Sequence, residues 1–99
     1  MRRKVLVVDI DGVITIDTSG SYAARREDVQ VIRDLTMMRK KGWRVVLWTA
    51  RPESARRVTV NWLKAKSVRY EKLLMGKPRA DAYVDDKAMT QQELRRLAR

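Results

Sequence analysis

The chain has 99 residues, no cysteine, no histidine, and 23 basic against 12 acidic side chains, for a net charge of +11. This is the length of one domain, residues 1–99, with enough chain to bury a core of its own. The missing residue types exclude disulfides, thiolate nucleophiles, imidazole bases and the usual zinc ligands; chemistry is left to Asp, Glu, Ser, Thr, Tyr, Lys and Arg, and any bound metal to a hard ion such as Mg²⁺.

The first element is predicted over residues 5–10, where Val5 to Val8 form a near-continuous apolar run leading into Asp9, Ile10, Asp11 and Gly12. Such a run suits a strand buried on both faces of a parallel sheet. Residues 13–22 alternate and then break at Thr18-Ser19-Gly20-Ser21, which predicts a small hairpin or flap. Glu27 and Asp28 open a helix whose apolar face is Val29, Val31, Ile32, Leu35 and Met38, closed by Arg39, Lys40, Lys41 and Gly42. Residues 43–49 read as a second strand. A second helix restarts at Arg51-Pro52-Glu53, with Ala55, Val58, Trp62 and Leu63 on its stripe. A third strand is expected at 68–75, a loop at Gly76-Lys77-Pro78, and a short fourth strand at Ala82-Tyr83-Val84. Thr90 and Glu93 make a capping-box pattern that starts a final helix through Leu94, Leu97 and Ala98. Strands alternating with helices predict an α/β, Rossmann-like domain with a mostly parallel sheet and helices on both faces.

In a parallel sheet the carboxyl ends of the strands share one crevice. That places Asp9 and Asp11, then Thr49 with Ala50 and Arg51, then Lys77, then Asp85 and Asp86, at the same end of the domain. Four carboxylates in a small volume repel one another, which calls for protonation or a cation among them. With Mg²⁺, a lysine and a hydroxyl alongside, the crevice suits a phosphate ester attacked by a carboxylate.

These residues resemble the haloacid dehalogenase superfamily of aspartate-nucleophile phosphatases. D-I-D-G-V, L-W-T-A-R, M-G-K-P-R-A-D and Y-V-D-D-K match its four motifs in order across almost the whole chain. The resemblance implies Asp9 as nucleophile and metal ligand. It implies Asp11 as general acid and then base, its backbone carbonyl also reaching the metal. Thr49 and Lys77 become ligands of the phosphoryl group, Asp85 a metal ligand, and Asp86 its companion directly or through water. Asp11 also favours phosphoryl transfer over dehalogenation. Residues 13–26 and 50–76 are too few to hold a cap domain, so the site is expected to be open, as suits a large substrate, or closed by oligomerisation. Two capless groups are similar: the 3′-phosphatase domain of phage-type polynucleotide kinases, and small phosphatases of capsular or sugar-phosphate metabolism.

Blander readings stand beside these. Thr49 could cap the helix that follows, Lys77 could be a surface lysine, and Arg51 could pair with an acid rather than a phosphate. Trp48 and Trp62 read better as core than as base-stacking platforms, and the Arg/Lys groups as solvated helix faces. The positive charge reads equally as a solvated surface and as a field for nucleic acid. No apolar run reaches the ~20 residues of a membrane helix and the basic start leads into too short an apolar stretch for a signal peptide, so a cytoplasmic protein without a membrane partner is expected. Two function classes follow: a Mg²⁺-dependent phosphomonoesterase acting on nucleotide or nucleic-acid ends or on sugar phosphates, and a non-catalytic nucleic-acid- or protein-binding module on the same fold.

Overall fold

A computed structural model describes residues 2–99. Three strands, β1 (Val5–Val8), β2 (Arg44–Trp48) and β3 (Lys72–Leu74), form one parallel sheet in the order β1-β2-β3. Its register sets Leu6 beside Val45, and Val8 beside Leu47 and then Leu73. Between the strands run α1 (Val29–Lys40) and α2 (Arg56–Ala65), and α3 (Gln91–Ala98) closes the chain.

The helices begin where the sequence marks them. The Asp28 side chain accepts the Val31 amide at 3.1 Å and caps α1, while Gly42, at a φ of +95°, lets the chain leave it. The Thr90 hydroxyl accepts the Glu93 amide at 3.1 Å and the Glu93 carboxylate accepts the Thr90 amide at 3.2 Å, completing the capping box of α3.

The strands alternate. Leu6, Val8, Val45, Leu47 and Leu73 point into one core with Val31, Leu35 and Met38 of α1, Trp62 and Leu63 of α2, and Leu94 and Ala98 of α3. All three helices therefore lie against the same sheet face. Val5, Val7, Trp48 and Leu74 point the other way and are exposed. The predicted α/β parallel sheet is present, but helices cover one face and not two. The cause is the stretch after β3: residues 75–89 contain no helix to cross the second face.

The strands are also shorter than predicted. β1 stops at Val8 because the Asp9 carboxylate takes the Ile10 amide (2.7 Å) and the Ile10 carbonyl then accepts the Val13, Ile14 and Thr15 amides. β3 begins only at Lys72, after Ser67 turns the chain at a φ of +59°. The fourth strand, 82–84, does not form. Tyr83 and Val84 are exposed, and local bonds hold the segment instead: the Tyr83 hydroxyl to the Pro78 carbonyl, and the Lys87 amide to Asp85 at 2.8 Å. Three residues between Asp81 and Asp85 offer too little apolar surface to offset the entropy of joining an edge. The flap is longer than 13–22. Its limbs pair through Ile16 N–H to the Arg26 carbonyl (2.9 Å) and Asp28 N–H to the Ile14 carbonyl (2.8 Å), so it closes on the start of α1. No helix among the described residues is long and apolar enough to cross a membrane.

Candidate active site

Beyond the strands, backbone bonds carry the sheet into the crevice. The Thr49 amide donates to the Leu74 carbonyl (2.9 Å), the Lys77 amide to the Thr49 carbonyl (2.9 Å) and the Gly76 amide to the Arg51 carbonyl (2.9 Å). Gly76 sits at a φ of +77°, the left-handed region that lets the chain turn Lys77 back over the strand ends. Thr49, Arg51 and Lys77 are thus registered to each other by main chain.

Lys77 points its ammonium at Asp9, with Nζ 3.8 Å from Asp9 Oδ2. The other oxygen, Oδ1, is held by the Ile10 amide. One carboxylate oxygen is therefore fixed and the other faces a cation, with Asp9 itself about one-third exposed. The Lys77 ammonium also lies over the rings of Tyr83 (4.1 Å) and Trp48 (5.3 Å). Thr49 is buried, and its hydroxyl accepts the Arg51 amide at 3.2 Å, a local turn rather than a cap on α2. Ala50 lies half-buried between them.

Asp11 belongs to a second cluster. Arg51, buried to 1 % exposure, grips it with two bonds, Nε to Oδ2 at 2.9 Å and one terminal nitrogen to Oδ1 at 2.7 Å. The other terminal nitrogen donates to Thr59 at 3.0 Å. Arg25, reaching in from the flap, approaches Asp11 Oδ1 at 2.6 Å and donates to the Gly20 carbonyl at 3.1 Å. The Tyr22 ring lies over both guanidiniums, 4.1 Å from Arg51 and 4.8 Å from Arg25. Trp62, in the core as expected, donates its indole N–H to the Arg25 carbonyl (2.8 Å) and pins the flap. Burial pushes the Asp11 carboxyl up, but the hydrogen bonds and charges of Arg51 and Arg25 outweigh it and hold the group below its ordinary 3.8. Asp11 is an anion here.

Asp85 and Asp86 stand apart, both exposed, with Asp85 turned to the Lys87 amide. The acid set is all hard oxygen, which is magnesium chemistry in kind. Among the described residues no three acids gather to hold a metal, and the Asp11 carboxylate is engaged by two guanidiniums. The structure brings Asp9 to Lys77 and Asp11 to Arg51, while Asp85 and Asp86 are exposed and make no ion pair among the described residues. Arg25 and Tyr22 are the contributors that motif spacing missed. Arg25 and Arg26 are adjacent arginines in the sequence, and only the fold buries the first and exposes the second.

The parallel sheet delivers an Asp-x-Asp pair, a threonine and a lysine from its strand ends, a fold consistent with the haloacid dehalogenase superfamily. Among solved structures, a target protein from Vibrio cholerae superposes with a TM-score of 0.82 at 26% identity, over 93% of this chain and 87% of that one. The Pnkp1/Rnl/Hen1 RNA repair complex matches at 20% identity with a TM-score of 0.66, over 96% of this chain but 30% of the larger one. The D,D-heptose 1,7-bisphosphate phosphatase from B. bronchiseptica, solved with magnesium and phosphate, matches at 21% identity with a TM-score of 0.57, over 86% of this chain and 54% of that one. No family model matches the chain, and no curated protein matches it significantly.

Proposed function

We propose that the chain is a Mg²⁺-dependent phosphomonoesterase that works through an aspartyl-phosphate on Asp9, with the terminal phosphate of a nucleic acid or nucleotide as its substrate class. The observation that carries this is the pairing of Asp9 and Lys77 at the strand ends: a carboxylate with one oxygen fixed by an amide and the other set against a cation. Asp9 Oδ2 attacks phosphorus, the ester P–O bond breaks, and the leaving oxygen takes a proton. Water then cleaves the acyl phosphate and returns the Asp9 carboxylate. Lys77 and the Thr49 hydroxyl face the phosphoryl oxygens.

Asp11 supplies the proton in this reading, although Arg25 and Arg51 hold it ionised in the free protein. A proton-donor role therefore requires the Arg25 and Arg51 contacts to loosen when substrate binds. The oxygen-only donor set suits Mg²⁺, which when bound would neutralise charge on the phosphoryl group. Asp85 and Asp86, both exposed, would join Asp9 in holding the ion.

Support for nucleic acid over sugar phosphate comes from the net charge of +11 and from the likeness to the RNA repair complex. The test is phosphate release from an aryl phosphate, sugar phosphates, mononucleotides and a 3′-phosphorylated oligonucleotide. Release with Mg²⁺ that EDTA stops and Asp9→Asn abolishes is expected, fastest on the oligonucleotide. The non-catalytic alternative predicts no release from any of them, with salt-sensitive oligonucleotide binding retained.

A further inference from the structure

The sheet face that no helix covers has a composition of its own. The register puts Val5 beside Arg44, Val7 beside Val46 and then Lys72, and Trp48 beside Leu74. Val5, Val7, Trp48 and Leu74 are 43%, 56%, 37% and 36% exposed, and Arg44 and Lys72 are exposed with them. The three strands contribute two cations to this face and no acid. At its upper end the alternation Val5, Val7 leads to Asp9, and the rings of Trp48 and Tyr83 both lie against the Lys77 ammonium. The face therefore runs straight into the candidate active site. At about 3.3 Å per strand residue, it extends on the order of 13 Å below it.

We propose that this open face is a track for single-stranded nucleic acid, seating the nucleotides next to the terminal phosphate that Asp9 receives; the proposal rests on the phosphatase reading above. Trp48 and Tyr83 offer aromatic faces at the mouth of the site, where unpaired bases can stack. Arg44 and Lys72 lie farther down, where the phosphates behind the terminal one pass. The apolar Val5, Val7, Val46 and Leu74 surface excludes water beneath the bases. A second copy of the chain would bring Arg44 and Lys72 against their equals with no acid on the strands to pair them, and an acid-free basic face suits a polyanion better.

The test uses the full chain and fluorescently labelled single-stranded oligonucleotides, one ending in a 3′-hydroxyl and one in a 3′-phosphate. Anisotropy measured across a salt series gives affinity and salt slope, and release from an aryl phosphate is followed separately. The double variant Arg44→Gln/Lys72→Gln is expected to weaken binding of both oligonucleotides. Its slope of log K against log salt should be shallower by about 1.4, at about 0.7 for each phosphate no longer neutralised. Aryl-phosphate turnover should stay at the wild-type value. Trp48→Leu is expected to weaken binding about tenfold, as the loss of one stacked base does.

An unchanged affinity and slope in the double variant overturns the track. So does a wild-type protein that hydrolyses the aryl phosphate and ignores the oligonucleotides, or a dimer in sedimentation that oligonucleotide does not dissociate. If the wild type binds oligonucleotide with the expected variant effects but hydrolyses nothing, the track stands and the phosphatase reading fails.

Discussion

Two parts of the crevice carry equally good sequence motifs and are built differently. Around Thr49, Arg51 and Lys77, main-chain bonds at 2.9 Å extend the sheet past its last strand residue, and Arg51 is sealed under Tyr22 against Asp11 and Thr59. Around Asp85 and Asp86 nothing comparable exists: the segment is exposed and held by its own local hydrogen bonds. A functional motif reaches its place only when neighbouring apolar surface or a ladder brings it there. The first group rides on β2 and β3; the second follows three residues, Ala82-Tyr83-Val84, that bury almost nothing.

The sharpest way to break this contrast is to separate chemistry from stability. Lys77→Ala should lower phosphate release by roughly 10²–10³-fold, the usual cost of one group that stabilises developing charge. Its melting temperature should barely move, because the lysine is a loop residue on a pre-registered backbone. A fall in stability as large as the fall in turnover would make Lys77 structural.

Arg51→Gln reverses the pattern. It removes the Arg51 bonds to Asp11 and Thr59, leaving Asp11 with Arg25 alone, and should cost about 3 kcal/mol, the low end for breaking a buried pair. For a chain of this size that is a drop in Tm on the order of 15 °C. Asp85→Asn, in the loosely held segment, should leave Tm unchanged while reducing Mg²⁺-supported turnover; a Tm loss there would show that the segment is packed.

A third comparison uses acid. The folded Asp11 carboxyl is held below its ordinary 3.8, so the unfolded chain binds the proton first as pH falls. Asp11 therefore contributes stability that is complete above about pH 3.8 and is lost as pH drops through its lower folded value. Urea unfolding from pH 7 down to pH 3 should show a steeper loss for wild type than for Asp11→Asn, which lacks this group. Parallel curves would mean that the arginines do not hold Asp11 in solution. The smallest effect is expected at the capping box. Thr90→Ala should cost about 1 kcal/mol; α3 packs on α1 and its first residue, Gln91, donates to the Gly12 carbonyl at 3.3 Å, so any loss of turnover should be small beside that of Lys77→Ala.

Much of this architecture is legible in the residues. Asp28, Gly42 and the Thr90/Glu93 pair mark helix ends because caps are local chemistry. The V-L-V-V and R-V-V-L-W runs mark strands because they hold almost nothing else. What the pattern could not tell was the second face: Val5 and Val7 look as buried as Leu6 and Val8 until one sees that residues 75–89 form no helix. Trp48, read as core, is exposed for the same reason. The fourth strand failed as a prediction because its three residues satisfy a β pattern without a long-range partner to reward it. Arg25 was invisible because its burial depends on the Trp62 indole, 37 residues away in the chain, holding its carbonyl.

The most direct test of the central claim is to look for the intermediate. The protein would be mixed with a fast-reacting aryl phosphate and Mg²⁺, quenched in acid within the first turnovers, and mapped by peptide mass spectrometry. The account predicts one phosphoryl group on Asp9, absent from Asp9→Asn, which should also release no phosphate. Phosphate release at the wild-type rate from Asp9→Asn, or steady turnover with Asp9 never modified, would contradict it.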